Sequence, residues 1–416
     1  SENMPIHSKL YPVEQLDKFN KGRFKFVQQL ENKKIRVSSL CGQNHWFMSP
    51  LAPYTAYVKK FSLDAYEKGF VIRFPNRLYP DIIPPLHKSK RIFEVFRESK
   101  QRAQLLNIRF VDHLNSLVRE NNFVEAIQIY EALHEKKIAS IADAITGRKG
   151  LRFVFIAGPS SSGKTSFMKR LGIQLRINGI SFKSISLDDY FRDRDKLPYD
   201  DKGQQDFEHF DTIDHNLLSK HMNLLLKGEK VKLSRYDFQL GKQVFQDDAT
   251  QLHKNEILIL EGIHGLNPKL VEGIPAENIF RIYISALTSL NYNMYNRIST
   301  SDTRLIRRMI RDSKYRGHSV EETLKRWPSV RAGEEKWIFP YQEQADAVFN
   351  SALEYEWSVF RPVISAALKN VAIQSPVKSQ ARRLQNLLEL FLPVPTKFIP
   401  PTSIIREFLG GSSFIY

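Results

Sequence analysis

The run Gly158-Pro159-Ser160-Ser161-Ser162-Gly163-Lys164-Thr165 sets the chemistry open to this chain, because it fits G-x-x-x-x-G-K-[ST] at every fixed position. A polyphosphate needs several donors converging on its oxygens. Successive backbone N–H groups that open into a helix N-terminus supply them. Gly158 and Gly163 allow a tight turn and a close approach of backbone to ligand. Lys164 is expected to reach the β- and γ-phosphates, and the Thr165 hydroxyl to take one position on Mg²⁺. The spacing predicts a nucleoside triphosphate on Gly158, Pro159, Ser160, Ser161, Ser162, Gly163, Lys164, Thr165 and Ser166.

Two acidic positions follow at the ends of apolar runs. Asp188-Asp189 closes the run 182–187, and Glu261 closes Ile257-Leu258-Ile259-Leu260. Transfer of a phosphoryl group to an alcohol needs a carboxylate that orients the hydroxyl and accepts its proton. Asp188 is the better candidate and Asp189 the second, while both could instead cap the turn. Glu261 is expected to support Mg²⁺, as an acidic residue after a strand does in such loops. Farther on, Arg304, Arg308 and Arg311 recur at spacings of four and three, so one helical face can present all three. On a mobile helix pair they could close over the triphosphate and neutralise charge developing on its oxygens.

The elements that must position these groups are legible as a pattern. Leu151 to Ala157 is apolar and rich in β-branched and aromatic residues, as a strand buried on both faces should be. Phe167, Met168, Leu171 and Leu175 then recur at helical spacing. Further strands are expected at 182–187, Ile257–Leu260, Ile279–Ser285 and Ala347–Asn350, with helices between them. Such alternation predicts a parallel α/β sheet with helices on both faces, and ligands at the carboxyl ends of its strands. A helix is expected over Arg382–Phe391.

The 416 residues allow two domains, and 42% hydrophobic with 26% charged residues is ordinary globular composition. No apolar run is long enough for a membrane span, so no membrane association is expected. A single cysteine, Cys41, excludes an internal disulfide framework and suits a reducing compartment, with the cytoplasm as the expected location. The net charge of +17 suits phosphate-bearing substrates and also nucleic acid, although no nucleic-acid recognition signature accompanies it.

Residues 1–148 read as a smaller α+β module. Residues 11–40 suggest a helix and a short strand, with Leu16, Phe19, Phe24, Phe26, Val27 and Leu30 as core. Short strands broken by Pro50, Pro53, Gly69 and Pro75 are expected next, and 92–148 reads as mostly helical. His45, His113 and His134 lack metal-ligand spacing.

The motifs GPSSSGKT, SLDDYF, FEHFDTID, RYDF, LEGIHG and DTRLIRRMIRDSKYRG, over roughly 152–351, resemble the uridine kinase and phosphoribulokinase-like family of P-loop kinases. The stretches FMSPLAPYTAYVKKFSLDAYEKGFVIRFP, RWPSVRAGEEKWIFPYQEQADAVFNSAL and REFLGGSSFIY are similar to its long bacterial-type subgroup, whose N-terminal region is threonyl-tRNA synthetase-like. The resemblance implies an ATP:nucleoside 5′-phosphotransferase with ATP and Mg²⁺ as its cofactors. It implies Asp188 as catalytic aspartate, Glu208 at the sugar hydroxyls, Tyr236 at the base and Arg308 on the substrate side. It also implies Arg311 and Arg316 as lid arginines near the phosphates, with Lys164 and Arg311 joining Asp188 in catalysis. Three positions depart from the family pattern. Glu208 replaces an aspartate, Gly241 stands where a base-reading histidine is usual, and His318 replaces an arginine.

The expected architecture is therefore a P-loop α/β domain over 149–375, preceded by the α+β module and followed by a C-terminal helix and tail, 376–416, packing on it. The expected reaction is transfer of the ATP γ-phosphate to uridine, cytidine or a related nucleoside, in a homo-oligomer. Two alternatives stand beside it: phosphorylation of another small alcohol such as a sugar phosphate, and an RNA-binding protein that uses ATP as a switch.

Overall fold

The computed structural model of the chain describes residues 3–18, 34–47, 51–67, 69–75, 80–86, 88–199, 203 and 205–416. Near the N-terminus β1 (His7–Pro12) pairs antiparallel with β2 (Lys34–Leu40), which pairs with β3 (Gln43–Trp46). A separate hairpin follows, β4 (Ser62–Tyr66) with β5 (Gly69–Arg73). Three helices come next: α1 (Lys90–Leu105), α2 (Val111–Arg119) and α3 (Phe123–Thr146). The helix expected after Tyr11 is represented only by a 3₁₀ turn, Val13–Lys18, which buries Leu16. Phe19, Phe24, Phe26, Val27 and Leu30 lie outside the described residues.

The second half holds β6 (Phe153–Ala157), α4 (Lys164–Ile177), β7 (Ser181–Ser186), α5 (His215–Leu226), the antiparallel pair β8 (Val231–Asp237) and β9 (Lys242–Thr250), β10 (Glu256–Gly262) and β11 (Ile279–Ser285). It continues through α6 (Thr300–Tyr315), α7 (Val320–Trp337), β12 (Ala347–Asn350), α8 (Glu356–Lys369), α9 (Lys378–Glu389) and the short α10 (Arg406–Leu409). Five strands form one parallel sheet in the order β12-β11-β6-β10-β7. This is the expected P-loop α/β architecture, with a separate antiparallel N-terminal region. The β8–β9 hairpin was not foreseen, because Lys242 to Thr250 is half polar and carries no strand-like apolar alternation.

Strand β6 sits at the centre and is buried along its whole length. Its side chains alternate between two cores, as the pleat requires. Phe153 and Phe155 face a cluster with Leu258, Leu260 and the α5 residues Leu218, Met222 and Leu225. Val154 and Ile156 face Phe167, Leu171 and Leu175 of α4, together with Ile138, Ile141 and Ile145 of α3. A third cluster joins Leu16, Ile35, Val37 and Trp46 near the N-terminus to Leu305, Ile306 and Met309 of α6, Phe360 of α8, Leu384 and Leu388 of α9, and Ile405 and Phe408.

Local chemistry sets the helix starts. The Asp214 carboxylate accepts from the Leu217 N–H, and Ser319 with Glu322 forms a capping box that opens α7. Ser299 Oγ accepts from the Ser301 N–H where α6 begins, and α6 carries Arg308 and Arg311 to the cleft.

Candidate active site

The loop between β6 and α4 is held from behind. Arg304 Nε donates to the Ser160 carbonyl at 3.0 Å, and Ser351 Oγ donates to the Ser162 carbonyl at 2.5 Å. Arg307, wholly buried, donates to the Ser351 carbonyl at 2.7 Å and pairs with Glu356 at 2.6 Å. Gly163, with φ of +88°, turns the chain into α4, and a Cβ there would come within 2.5 Å of Ile404. Lys164 Nζ donates to the carbonyls of Gly158 and Pro159 at 3.0 and 3.4 Å, so its ammonium lies over the loop. Burial pulls that ammonium below its ordinary value, while Glu261, Glu407 and Asp188 pull it back up.

The acids arrive on neighbouring strand ends. Glu261 stands next to last in β10 beside β6, and its carboxylate oxygens lie 3.1 and 3.2 Å from the Thr165 hydroxyl. Burial pushes the Glu261 carboxyl up to about 7, against the attraction of Lys164. The 3₁₀ turn Leu187–Tyr190 separates the two aspartates after β7. Asp189 turns back to accept from the Ser186 N–H in a capping box, whereas Asp188 faces the cleft. Asp188 is also raised by burial, opposed by Lys164 and Arg316 and reinforced by Asp189.

A cleft of about 280 Å³ collects Ser160, Ser161, Ser162, Gly163, Lys164, Thr165, Asp188, Glu208, Glu261, Arg308, Arg311 and Arg316. Burial pushes Glu208 up to about 7, with Arg308 opposing and Glu334 and Asp188 adding to the rise. Gly158 and Pro159 serve through their carbonyls rather than as lining. Tyr236 stands one layer back, buried and edge-on at 5.7 Å to Phe191, which lines the cleft. Ser166 points to the C-terminal tail, where its N–H and Oγ meet Glu407.

The arginine face divides. Arg304 does not join Arg308 and Arg311 at the cleft; it is buried in an ion pair with Glu334 of α7. A buried guanidinium must be paired, and Glu334 supplies the pair. Arg308 and Arg311 reach the cleft because buried Asp312 holds them at 3.2 and 3.0 Å, with Arg316 at 3.7 Å. Arg308 also donates to Ser160 Oγ at 2.9 Å.

Ser186, Phe207, Gly262, Ile263 and Glu407 complete the lining and, like Phe191, were not anticipated. No spacing announces Glu407, which meets Ser166 across 241 residues of chain. Oxygen donors of the Thr165 and Glu261 kind suit a hard cation such as Mg²⁺, and the raised carboxyl of Glu261 is what a cation would relieve.

Residues 153–356 match the model of the Phosphoribulokinase / Uridine kinase family. A uridine kinase from Clostridium perfringens (strain SM101 / Type A) is 30% identical over 179 residues, which cover 43% of this chain and 76% of that protein. A uridine kinase from Bacillus licheniformis is 27% identical over 194 residues, covering 46% and 82%. A solved structure described as a possible uridine kinase from Bacillus stearothermophilus shares 20% identity over 51% of this chain and 97% of that one, with a TM-score of 0.35.

Proposed function

We propose, from the premise that this chain belongs to the Phosphoribulokinase / Uridine kinase family and is an ATP-dependent phosphotransferase, that its acceptor is the 5′-hydroxyl of uridine, cytidine or a related nucleoside. The observation that carries the reading is the shared cleft. Asp188 and Glu208 line it together with the loop, Lys164, Arg308, Arg311 and Arg316. Asp188 orients the hydroxyl and accepts its proton as the acceptor oxygen attacks the γ-phosphorus. The bond to the β-phosphate oxygen breaks, and ADP leaves. Lys164, Arg311 and Arg316 meet the charge on the transferring group, and Arg308 acts on the substrate side. Thr165 and Glu261 would hold Mg²⁺, which would screen the phosphates. Glu208 takes the sugar hydroxyls, with Tyr236 supporting the base side through Phe191.

A second reading is a different small alcohol, and one observation favours it. At Gly241 there is no side chain to read a pyrimidine, and the Arg194 side chain fills that space, 3.2 Å from where a Cβ would stand. A site lacking its hydrogen-bonding partner for a base discriminates poorly for that base. A panel of nucleosides and sugar phosphates scored by ADP release separates the readings. Uridine or cytidine should respond first. Silence from both, with another alcohol active, replaces the acceptor and leaves the chemistry standing.

A further inference from the structure

Glu407, on α10, holds its carboxylate where a phosphate would be held. Its Oε2 accepts from the Ser166 N–H at 3.1 Å and from Ser166 Oγ at 2.8 Å. Ser166 is the third residue of α4, and its N–H is among the first-turn amides that have no partner within a helix. In a loop of this spacing those amides take the phosphates of a nucleotide. Tyr416 closes on the same hydroxyl, with its own oxygen 2.8 Å from Ser166 Oγ. Glu407 also lines the cleft with Lys164 and Glu261, so its carboxylate stands between the cleft and Ser166.

A carboxylate and a polyphosphate cannot share these donors. Both are anions, both are acceptors only, and their repulsion is strong where water is partly excluded. We propose that Glu407, with Tyr416, is an internal stand-in for a phosphate that the nucleotide must displace, so that nucleotide binding and release of the tail are linked. The inference rests on the reading of the loop as a nucleoside triphosphate site.

The tail is built for a limited release. Ile405 and Phe408 are buried, and Arg406 donates to the carbonyls of Thr396 at 3.0 Å and Gly410 at 3.2 Å, so α10 itself stays in place. Beyond it Gly410 and Gly411 both have positive φ, and Ile415 is 89% exposed. Displacement therefore needs a new side-chain rotamer at Glu407 and the peeling of residues 412–416, not the unpacking of a core. Linkage is reciprocal: whatever loosens the tail tightens the nucleotide.

The test is the affinity for ATP·Mg²⁺, measured by calorimetry on the full chain, for the wild type, Glu407→Gln, Tyr416→Phe and Lys164→Ala. Glu407→Gln keeps an oxygen for Ser166 but drops the charge, and it should bind ATP at least about fivefold more tightly, the low end of coupling between linked sites. Tyr416→Phe should move in the same direction. In the wild type, saturating ATP should speed hydrogen exchange across 411–416. A purely structural tail gives the opposite result, weaker ATP binding in both variants, and that overturns the proposal. Should Glu407→Gln fail to fold, the wild-type exchange decides: unchanged or slowed exchange at 411–416 overturns it. If the wild type binds ATP, Lys164→Ala loses it and Glu407→Gln is no tighter, only this inference falls. If neither the wild type nor the variants bind ATP, the nucleotide reading of the loop falls with it.

Discussion

The Thr165 hydroxyl lies 3.1 and 3.2 Å from the two carboxylate oxygens of Glu261, a strand end and a helix start brought together across 96 residues. Burial holds the Glu261 carboxyl up at about 7, far above an ordinary glutamate. Metal binding needs the ionised form. The apparent Mg²⁺ affinity should fall about tenfold between pH 8 and pH 6, as the ionised fraction does for a group of that pKa. Titrating Mg²⁺ against activity at several pH values checks this, and Glu261→Gln should flatten the profile.

The same group bears on stability. Between the unfolded value and about 7 the folded state binds more protons at Glu261 than the unfolded state does. Its contribution therefore falls as pH rises through that window and stays low above it. Without metal, Glu261→Gln should equal the wild type near pH 5 and exceed it at pH 8 by on the order of 1–3 kcal/mol. Mg²⁺ should raise the wild type alone. Denaturant unfolding at the two pH values, with and without Mg²⁺, measures both effects.

Asp188 faces the cleft while Asp189 caps the turn. Asp188→Asn should keep ATP affinity within about twofold and lower turnover by about 10²–10⁴, the range of a lost general base. Asp189→Asn keeps an acceptor for the Ser186 N–H and should cost far less. Single-turnover rates with calorimetric ATP affinities separate the two residues.

Asp312, buried at the end of α6, holds Arg308, Arg311 and Arg316. Asp312→Asn removes the charge that pairs with all three guanidinium groups and leaves Arg308 its contact with Ser160 Oγ. Turnover should drop about tenfold or more while acceptor KM changes less, because in the proposed reaction Arg311 and Arg316 act on the transferring group. Steady-state kinetics with both substrates varied checks the split.

Gly333, within α7, leaves room for Glu208. A Cβ there would stand 2.3 Å from the Glu208 Cβ. Gly333→Ala should therefore displace Glu208, raise acceptor KM and cost about 1–3 kcal/mol of stability from overpacking. ATP affinity should not change. A thermal melt and an acceptor titration test both parts.

What the sequence determined by itself was local. The spacing from Gly158 to Thr165 dictates a row of backbone donors, and the apolar runs before Gly158, Asp188 and Glu261 dictate strands whose ends carry those groups. Both depend on neighbours within one turn or one strand, so no long-range contact was needed to read them. The β8–β9 hairpin escaped because its outer strand is exposed and half polar. Tertiary structure alone decided which aspartate enters the cleft and that Arg304 is spent on Glu334 instead of on phosphate. It alone decided that Glu407 reaches the first turn of α4. The physical reason is common to all three. A charge's role is set by its desolvation and by the partner that satisfies it, and these partners come together only when the chain has closed on itself.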